Sequence, residues 1–154
     1  MKLYPVLFGG INGNSRSVDI GLTVLRVGAG LALCTIFEKF LPRNGVWGPQ
    51  EWFIKDVAKM GFPLPSFFAW CAVLSEFFGG ILLVAGLLTR PAAFFNAVTT
   101  FVAAFIYHKD IGKDGVVAAA FFVMTLTLLF TGPGRFSLDG LLGRRFLKGK
   151  TNAA

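Results

Sequence analysis

The chain has 154 residues, of which 55% are hydrophobic and only 15% are charged. Soluble domains carry about 25% charged residues, so this composition favours an integral membrane protein and argues against a soluble hydrolase. The formal net charge of +7 does not indicate a nucleic-acid binder, because the basic residues lie in loops and tails between apolar stretches. There they orient the chain in the membrane and meet anionic lipid headgroups.

Four apolar stretches predict an all-α fold, an integral membrane four-helix transmembrane bundle. The predicted spans are residues 18–41, 67–88, 92–108 and 116–131. A helix needs roughly 20 apolar residues to cross the hydrocarbon core, and the last two spans are short of that length. The link at residues 89–91 is so short that the second and third helices must be antiparallel neighbours. The runs lack the alternation of membrane β-barrel strands.

The flanking segments are predicted from their composition. Residues 1–17 form an N-terminal segment without a continuous apolar core or a small-residue cleavage site, so we expect no cleaved signal peptide. Residues 18–142 form one membrane domain, and residues 143–154 form a basic tail suited to anionic lipids. Four spans place both termini on one side, which carries eight basic residues against six. This bias predicts cytoplasmic termini.

The first loop contains a short amphipathic segment, residues 49–60. Four apolar side chains share one side of a helix drawn through it: Trp52, Phe53, Val57 and Met60. Polar residues, including Asp56, occupy the other side. We expect this helix to lie on the outer membrane surface as a lid over the bundle, and the alternative is plain interfacial packing.

Six short motifs follow one another along the chain. They are LRVGAGL (25–31), FEKF (37–40), MGFPLP (60–65), EFFGGILL (76–83), GLLTR (86–90) and GPGRFSLD (132–139). In this order they resemble the DoxX family of small four-helix bacterial and archaeal membrane proteins. The resemblance implies a membrane associated with a respiratory chain, and we expect a bacterial inner membrane. Some members look like quinone-linked subunits, including those paired with DoxD-type subunits in thiosulfate:quinone oxidoreductases, and others are tied to thiol-redox complexes.

Glu76 is the charged residue within the apolar run 67–88. A carboxylate at bilayer depth is costly, and such groups pair with other charges or serve in proton transfer. Small residues on the same helix face indicate that Glu76 points inward. We predict Arg26 of the first span as its partner. Two interpretations stay open: a buried ion pair that fixes helix register, and a carboxylate that exchanges protons with a quinone headgroup.

Further candidates lie near the predicted outer surface and in the helices. Glu38, Lys39 and His108 end the first and third spans, and histidine suits proton exchange near neutral pH. The alternative is ordinary snorkelling at helix ends. Four other residues are candidates for ligand contacts through an amide or an aromatic ring: Asn96, Trp70, Phe77 and Tyr107. Asn96 otherwise hydrogen-bonds between helices.

Cys34 and Cys71 are the chain's two cysteines, and their estimated depths agree within roughly 5 Å. They are a candidate thiol pair, although apolar cysteines in helices more often serve as packing residues. The chain has one histidine and no haem ligand pair, flavin fingerprint or iron–sulfur cysteine set. We therefore expect no metal, haem or flavin, and quinone is the expected cofactor.

These features lead to three functional hypotheses. The first is a membrane subunit of a respiratory or thiol-redox oxidoreductase system that interacts with quinone or a redox partner. Its electrons would come from a partner subunit or a bound cofactor. The second is a non-catalytic membrane anchor or assembly subunit. The third is a small oligomeric transporter, for which the chain shows neither an inverted repeat nor a broken-helix pair.

Overall fold

The computed structural model describes residues 16–35, 48–108 and 112–143, and all regular structure within these ranges is helical. Its main helices are α1 (Arg16–Cys34), α2 (Glu51–Lys59), α3 (Pro65–Ala85), α4 (Thr89–Val102) and α5 (Lys113–Thr131). A π-helical turn, Ala103–Tyr107, continues α4. A last helical stretch begins at Leu138 and reaches Gly143, the final described residue.

Three of the described helices, α1, α3 and α5, are long and apolar enough to cross a membrane, with mean hydropathies of 1.5, 2.0 and 1.9. This confirms the predicted all-α membrane bundle. The third predicted span corresponds to α4, which has 14 residues and gains five more from the π turn. That α4 itself crosses the bilayer stays a prediction.

The helix boundaries follow the apolar pattern with small shifts. The amphipathic segment is the helix α2, as predicted. The tight link between α3 and α4 lies at residues 86–88, three residues before the predicted link, because Gly86 ends α3 with a left-handed φ of +68°. The Leu87 N–H then donates to the Leu82 carbonyl at 3.0 Å, which closes the helix end. The predicted end of the first span, beyond residue 35, lies outside the described residues.

The helices pack in the order α1, α3, α4 and α5, and α5 makes a smaller contact with α1. Glycines allow the closest approach between α1 and α3. A Cβ at Gly30 would lie 2.6 Å from the Gly80 carbonyl oxygen, so only a glycine fits there. A small apolar core lies between the helices and is formed by Leu33, Leu83, Ala92, Ala93 and Leu128. The outward faces carry exposed apolar side chains such as Val24 and Phe130.

Candidate functional site

A cavity of about 300 Å³ lies between α2, the first half of α3 and the end of α4. Its walls are mostly aromatic and aliphatic. The polar side chains that line it are Asp56, Cys71, Glu76, Thr99, Tyr107 and His108. An apolar cavity with a few convergent polar groups is the usual form of a small-molecule site, and this volume is at the lower end of the usual range.

The cavity exists because α3 and α4 separate toward the π turn. The two helices meet closely where Gly79 faces Asn96. One turn nearer the cavity, the Ser75 and Thr99 hydroxyls hydrogen-bond at 2.7 Å. Beyond this bond the π turn widens α4, and the His108 N–H donates to the Ala103 carbonyl at 3.1 Å. Such turns occur frequently at functional sites, and this one brings its last residue and His108 to the cavity wall.

Glu76 lines the inner end of the cavity and is only 4% exposed. It lies eleven residues into α3, roughly 16 Å from the end of the bundle that α2 covers. About three turns of apolar helix therefore separate this carboxylate from the covered end. The position combines a buried acid with an aromatic-walled space large enough for a ring.

The helix α2 covers the cavity with the four apolar side chains that share one side of it, Trp52, Phe53, Val57 and Met60. Asp56, on the predicted polar side, also reaches the cavity and connects α2 to the π turn. The Tyr107 hydroxyl donates to Asp56 Oδ2 at 2.9 Å. Lys59 donates to Asp56 Oδ1 at 2.8 Å. The placement of α2 at the outer membrane surface stays a prediction.

Hydrogen bonds fix the charge state of this connection. The bond from Lys59, followed by the bond from Tyr107, lowers the pKa of Asp56 below its ordinary value. The same carboxylate raises the pKa of Lys59. Asp56 is therefore ionised at neutral pH and accepts both bonds as a carboxylate, the stronger form of acceptor.

Several of the predicted site residues come together here and others do not. Glu76, His108, Tyr107 and Cys71 line the same cavity. The Tyr107 and His108 rings meet edge to face, with centroids 4.6 Å apart. The predicted Glu38 and Lys39 lie outside the described residues. The aromatic residues that line the cavity on α2, α3 and their connection were not proposed as ring contacts from sequence: Trp52, Phe53, Phe62 and Phe68.

Three predicted ligand-binding residues do not line the cavity. The Trp70 ring packs over Gly48, whose Cβ would lie 3.0 Å from it. Phe77 packs its ring against Phe78, and its carbonyl faces Cys34. Asn96 is fully buried and donates to the Ala92 carbonyl of its own helix at 3.0 Å. Asn96 therefore belongs to the α3–α4 contact.

Arg26 does not pair with Glu76, which corrects the predicted partnership. Its guanidinium is buried, and Nη2 donates to the Phe136 carbonyl at 2.7 Å. It also lies against Gly86, because a Cβ at Gly86 would overlap Arg26 Nη1. Gly86 follows Glu76 by ten residues, roughly 15 Å along α3. The C-terminal segment folds back against α1 and supplies the carbonyl that Arg26 binds. The prediction compared only the depths of Arg26 and Glu76 along their helices and did not consider this segment.

Around Arg26 is a cluster of buried polar groups that sequence reasoning did not single out. Asp139 is fully buried, and its carboxylate accepts the Leu88 and Thr89 N–H groups, both at 2.9 Å. These are orphan donors at the start of α4, so Asp139 caps that helix from another segment. Asp19 is likewise buried and accepts the Arg135 N–H at 3.1 Å. The motif GPGRFSLD ends in Asp139, and this was the feature of the sequence that could have identified the residue.

The two cysteines are not placed as a pair. Both thiols are free. Cys34 Sγ donates to the Phe77 carbonyl at 3.8 Å. Cys71 lies six residues before Phe77 on α3, roughly 9 Å away along the helix. The close α1–α3 approach at Gly30 and Gly80 puts Cys34 beside Gly80, deeper along α3 than the estimate from span ends predicted.

The described helices and the covered cavity define a small α-helical membrane protein with a candidate small-molecule site. The DoxX family model matches residues 21–109, more than half of the chain and the whole of the cavity wall. The chain therefore belongs to the DoxX family, which confirms the resemblance seen in the motifs. The family is associated with membrane redox-related roles.

Curated relatives support this assignment. Inner membrane protein YqjF of Escherichia coli (strain K12) is 34% identical over 135 residues, covering 83% of this chain and 96% of that protein. An uncharacterized protein of Haemophilus influenzae (strain ATCC 51907 / DSM 11121 / KW20 / Rd) is 31% identical over 130 residues, covering 75% and 86%. Inner membrane protein YphA of E. coli (strain K12) is 35% identical over 100 residues, covering 56% and 69%. No solved structure matches the chain.

Proposed function

We propose that this protein is a membrane subunit of a respiratory or thiol-redox oxidoreductase system and that its cavity binds the ring of a quinone. The observation that carries the proposal is the buried carboxylate of Glu76 at the inner end of an aromatic-walled cavity. Ionisable groups buried within a membrane bundle are costly and mark functional sites. The association of the DoxX family with membrane redox-related roles supports the same class.

The lining residues suit the chemistry of a quinone ring. Reduction of a quinone to a quinol takes up two electrons and two protons. Glu76 and His108 line the same cavity and are groups that exchange protons in general acid–base catalysis. Aromatic side chains on α2 and α3, including Phe53 and Phe68, offer faces and edges that pack against a planar ring.

The electrons come from outside the chain in this proposal. The sequence carries no haem, flavin or iron–sulfur motif, so a partner redox subunit delivers them. The two relatives named as inner membrane proteins support a bacterial inner membrane as the location. Cytoplasmic termini and a basic tail on anionic lipids complete the proposed arrangement.

The first experiment is gentle release of the protein from its native membrane, followed by native mass spectrometry. A bound quinone or a redox subunit is the expected result. A bare monomer or homo-oligomer that carries only phospholipid contradicts the proposal and favours the anchor or transporter hypotheses. A protein partner without redox cofactors and without quinone favours the non-catalytic anchor.

Glu76→Gln tests the role of the carboxylate directly. The substitution keeps the shape of the side chain and removes its charge and its ability to exchange a proton near neutral pH. We expect quinone-linked turnover of the assembled system to fall by roughly 100-fold or more, the usual contribution of a positioned acid or base. Glu51→Gln, at an exposed position of α2 outside the cavity, is the matched control. Normal turnover in a well-folded Glu76→Gln protein would contradict the proposed role of the carboxylate.

A further inference from the structure

We infer that the cavity opens sideways into the bilayer between α3 and α4, so that its ligand is a membrane-dissolved molecule with a small head and an apolar tail. The choice of a quinone as that molecule rests on the proposed function. The route itself rests on which cavity-lining residues are exposed. We call the opening bordered by Cys71 of α3 and Val98 of α4 the lateral portal.

Residues that both line a cavity and reach the outside mark the place where its wall opens. Four residues that line the cavity are exposed. Trp52 and Tyr107, each 45% exposed, lie at the end that α2 covers. Cys71 and Val98, the latter 49% exposed, lie further along α3 and α4 and mark a second opening. Cys71 lies six residues into α3, roughly 9 Å from its start, and Val98 lies nine residues before Tyr107, roughly 13 Å. Both positions lie well along the helices, away from the end that α2 covers.

The outer surface on both sides of the portal is apolar. Large hydrophobic side chains of α3, α4 and the π turn are exposed on this part of the bundle: Trp70, Leu74, Phe94, Phe95, Phe101 and Phe105. In a membrane protein such a surface faces lipid chains, because exposing these apolar side chains to water is unfavourable. The portal therefore faces hydrocarbon, while α2 covers the end of the cavity that is nearest to water.

The size of the cavity and the placement of its polar groups define the ligand. A volume of about 300 Å³ holds a ring and not a long chain, because drug-sized ligands fill roughly 300–1,000 Å³. The buried acid Glu76 lies at the inner end, whereas Val98 at the portal is apolar. A ligand with a polar ring would place the ring inward and leave its apolar tail between α3 and α4 in the lipid.

Cys71 is a natural reporter of this route. In a Cys34→Ser variant it is the single thiol of the chain, and the variant can be reconstituted as the full-length protein in liposomes. Labelling by a lipid-soluble maleimide, N-(1-pyrenyl)maleimide, is compared with labelling by a membrane-impermeant sulfonated maleimide added to both sides. Each rate is divided by the rate for detergent-unfolded protein. We expect the normalised rate to be at least roughly tenfold higher for the lipid-soluble reagent.

A second variant tests the portal itself. Val98→Trp in the Cys34→Ser background fills the gap from a lipid-facing position, so it leaves the core unchanged. We expect it to slow labelling by the lipid-soluble reagent by roughly tenfold. The matched control is Val123→Trp on α5, because Val123 is 59% exposed and does not line the cavity. Equal labelling by the two reagents, no labelling by either, or equal rates for the two tryptophan variants overturns the inference.

Failure of this inference is distinguishable from failure of the proposed function, because labelling of Cys71 requires no quinone. If the lipid-soluble reagent labels Cys71 preferentially but the protein binds no quinone, the portal is supported and quinone is rejected as the ligand. If the protein binds quinone but the sulfonated reagent labels Cys71 as readily as the lipid-soluble one, the proposed function is supported and the lateral route is rejected.

Discussion

Gly79 and Asn96 meet where α3 and α4 come closest, and this contact lies directly beyond the cavity. The Asn96 side chain occupies the space that a Cβ at Gly79 would need. Asn96 Nδ2 donates to the Ala92 carbonyl, while Oδ1 is buried without a hydrogen-bond partner among the described residues. A buried amide with an unmet acceptor is tolerated only where packing fixes it. This contact therefore fixes the point from which α3 and α4 diverge to form the cavity.

Gly79→Ala is expected to destabilise the bundle by about 1–3 kcal/mol, because the added methyl group must displace Asn96 or push the helices apart. Thermal unfolding in detergent micelles, followed by circular dichroism, measures the change. The double variant Gly79→Ala/Asn96→Ala is expected to lose less stability than the two single changes predict, since the alanine leaves room for the methyl group. Gly28→Ala is the control, because nothing lies within 4 Å of a Cβ there. Equal effects at Gly28 and Gly79 would contradict this account.

The connection between α2 and the π turn operates at the scale of whole elements. A hydrogen bond from Tyr107 to Asp56 joins them, and Lys59 holds the same carboxylate in place. Because the pKa of Asp56 is lower in the folded protein, the stability gained from its ionised form is present above about pH 4 and is lost as the pH falls through the folded value. At neutral pH Asp56 is therefore ionised and able to accept both bonds.

Tyr107→Phe is expected to loosen α2 over the cavity without unfolding the bundle. A hydrogen bond to a charged group contributes about 1.5–3 kcal/mol, which corresponds to an increase of at least roughly tenfold in the population of the open form. Hydrogen–deuterium exchange of the α2 amides in lipid nanodiscs measures that population. Thr127→Val on α5, which removes an exposed hydroxyl bonded within its own helix, is the control. Unchanged α2 exchange in Tyr107→Phe would show that other contacts hold the helix.

At the scale of the whole molecule, the segment at residues 132–139 closes the end of the bundle opposite α2. Asp139 joins this segment to the start of α4, and the Asp139 N–H returns a bond to the Gly86 carbonyl at 2.9 Å. Arg26 joins it to α1 through the Phe136 carbonyl. Three helices and the C-terminal segment thus meet around buried charges. Such an arrangement determines the order of packing, because a misplaced partner leaves a charge buried alone.

Asp139→Ala is expected to lower the stability of the bundle by about 1–3 kcal/mol, because it leaves the Leu88 and Thr89 N–H groups buried without acceptors. Thermal unfolding in the same detergent measures the loss. Asp139→Asn retains one oxygen acceptor and is expected to lose less. Asp114→Ala, an exposed acid in the first turn of α5, is the control for removal of a charge. An equal loss for Asp114→Ala would indicate a general electrostatic effect in place of a specific cap.

Most of the fold was predictable, whereas about half of the site was not. The amphipathic pattern identified the side chains that α2 turns toward the cavity, and the isolated charge in an apolar run identified Glu76. Trp70 and Phe77 do not line the cavity, because the presence of an aromatic residue in a phenylalanine-rich chain does not reveal the direction in which its side chain leaves the helix. Their contact with a ligand stays a prediction. Asp19 and Asp139 were missed because charges near helix ends resemble ordinary surface residues.

The amino-acid sequence by itself determined the membrane class, the helices, the family and the covering helix α2, because apolar run length and helical period are local properties. Only the tertiary structure decided which polar groups meet. Arg26 binds a carbonyl 110 residues further along the chain, and Cys34 lies apart from Cys71 because two glycines bring α1 and α3 together. The sequence gives the depth of a residue along its helix. Whether two side chains meet also depends on the rotation of each helix about its axis, on the point where the helices cross and on distant segments that fold back against them.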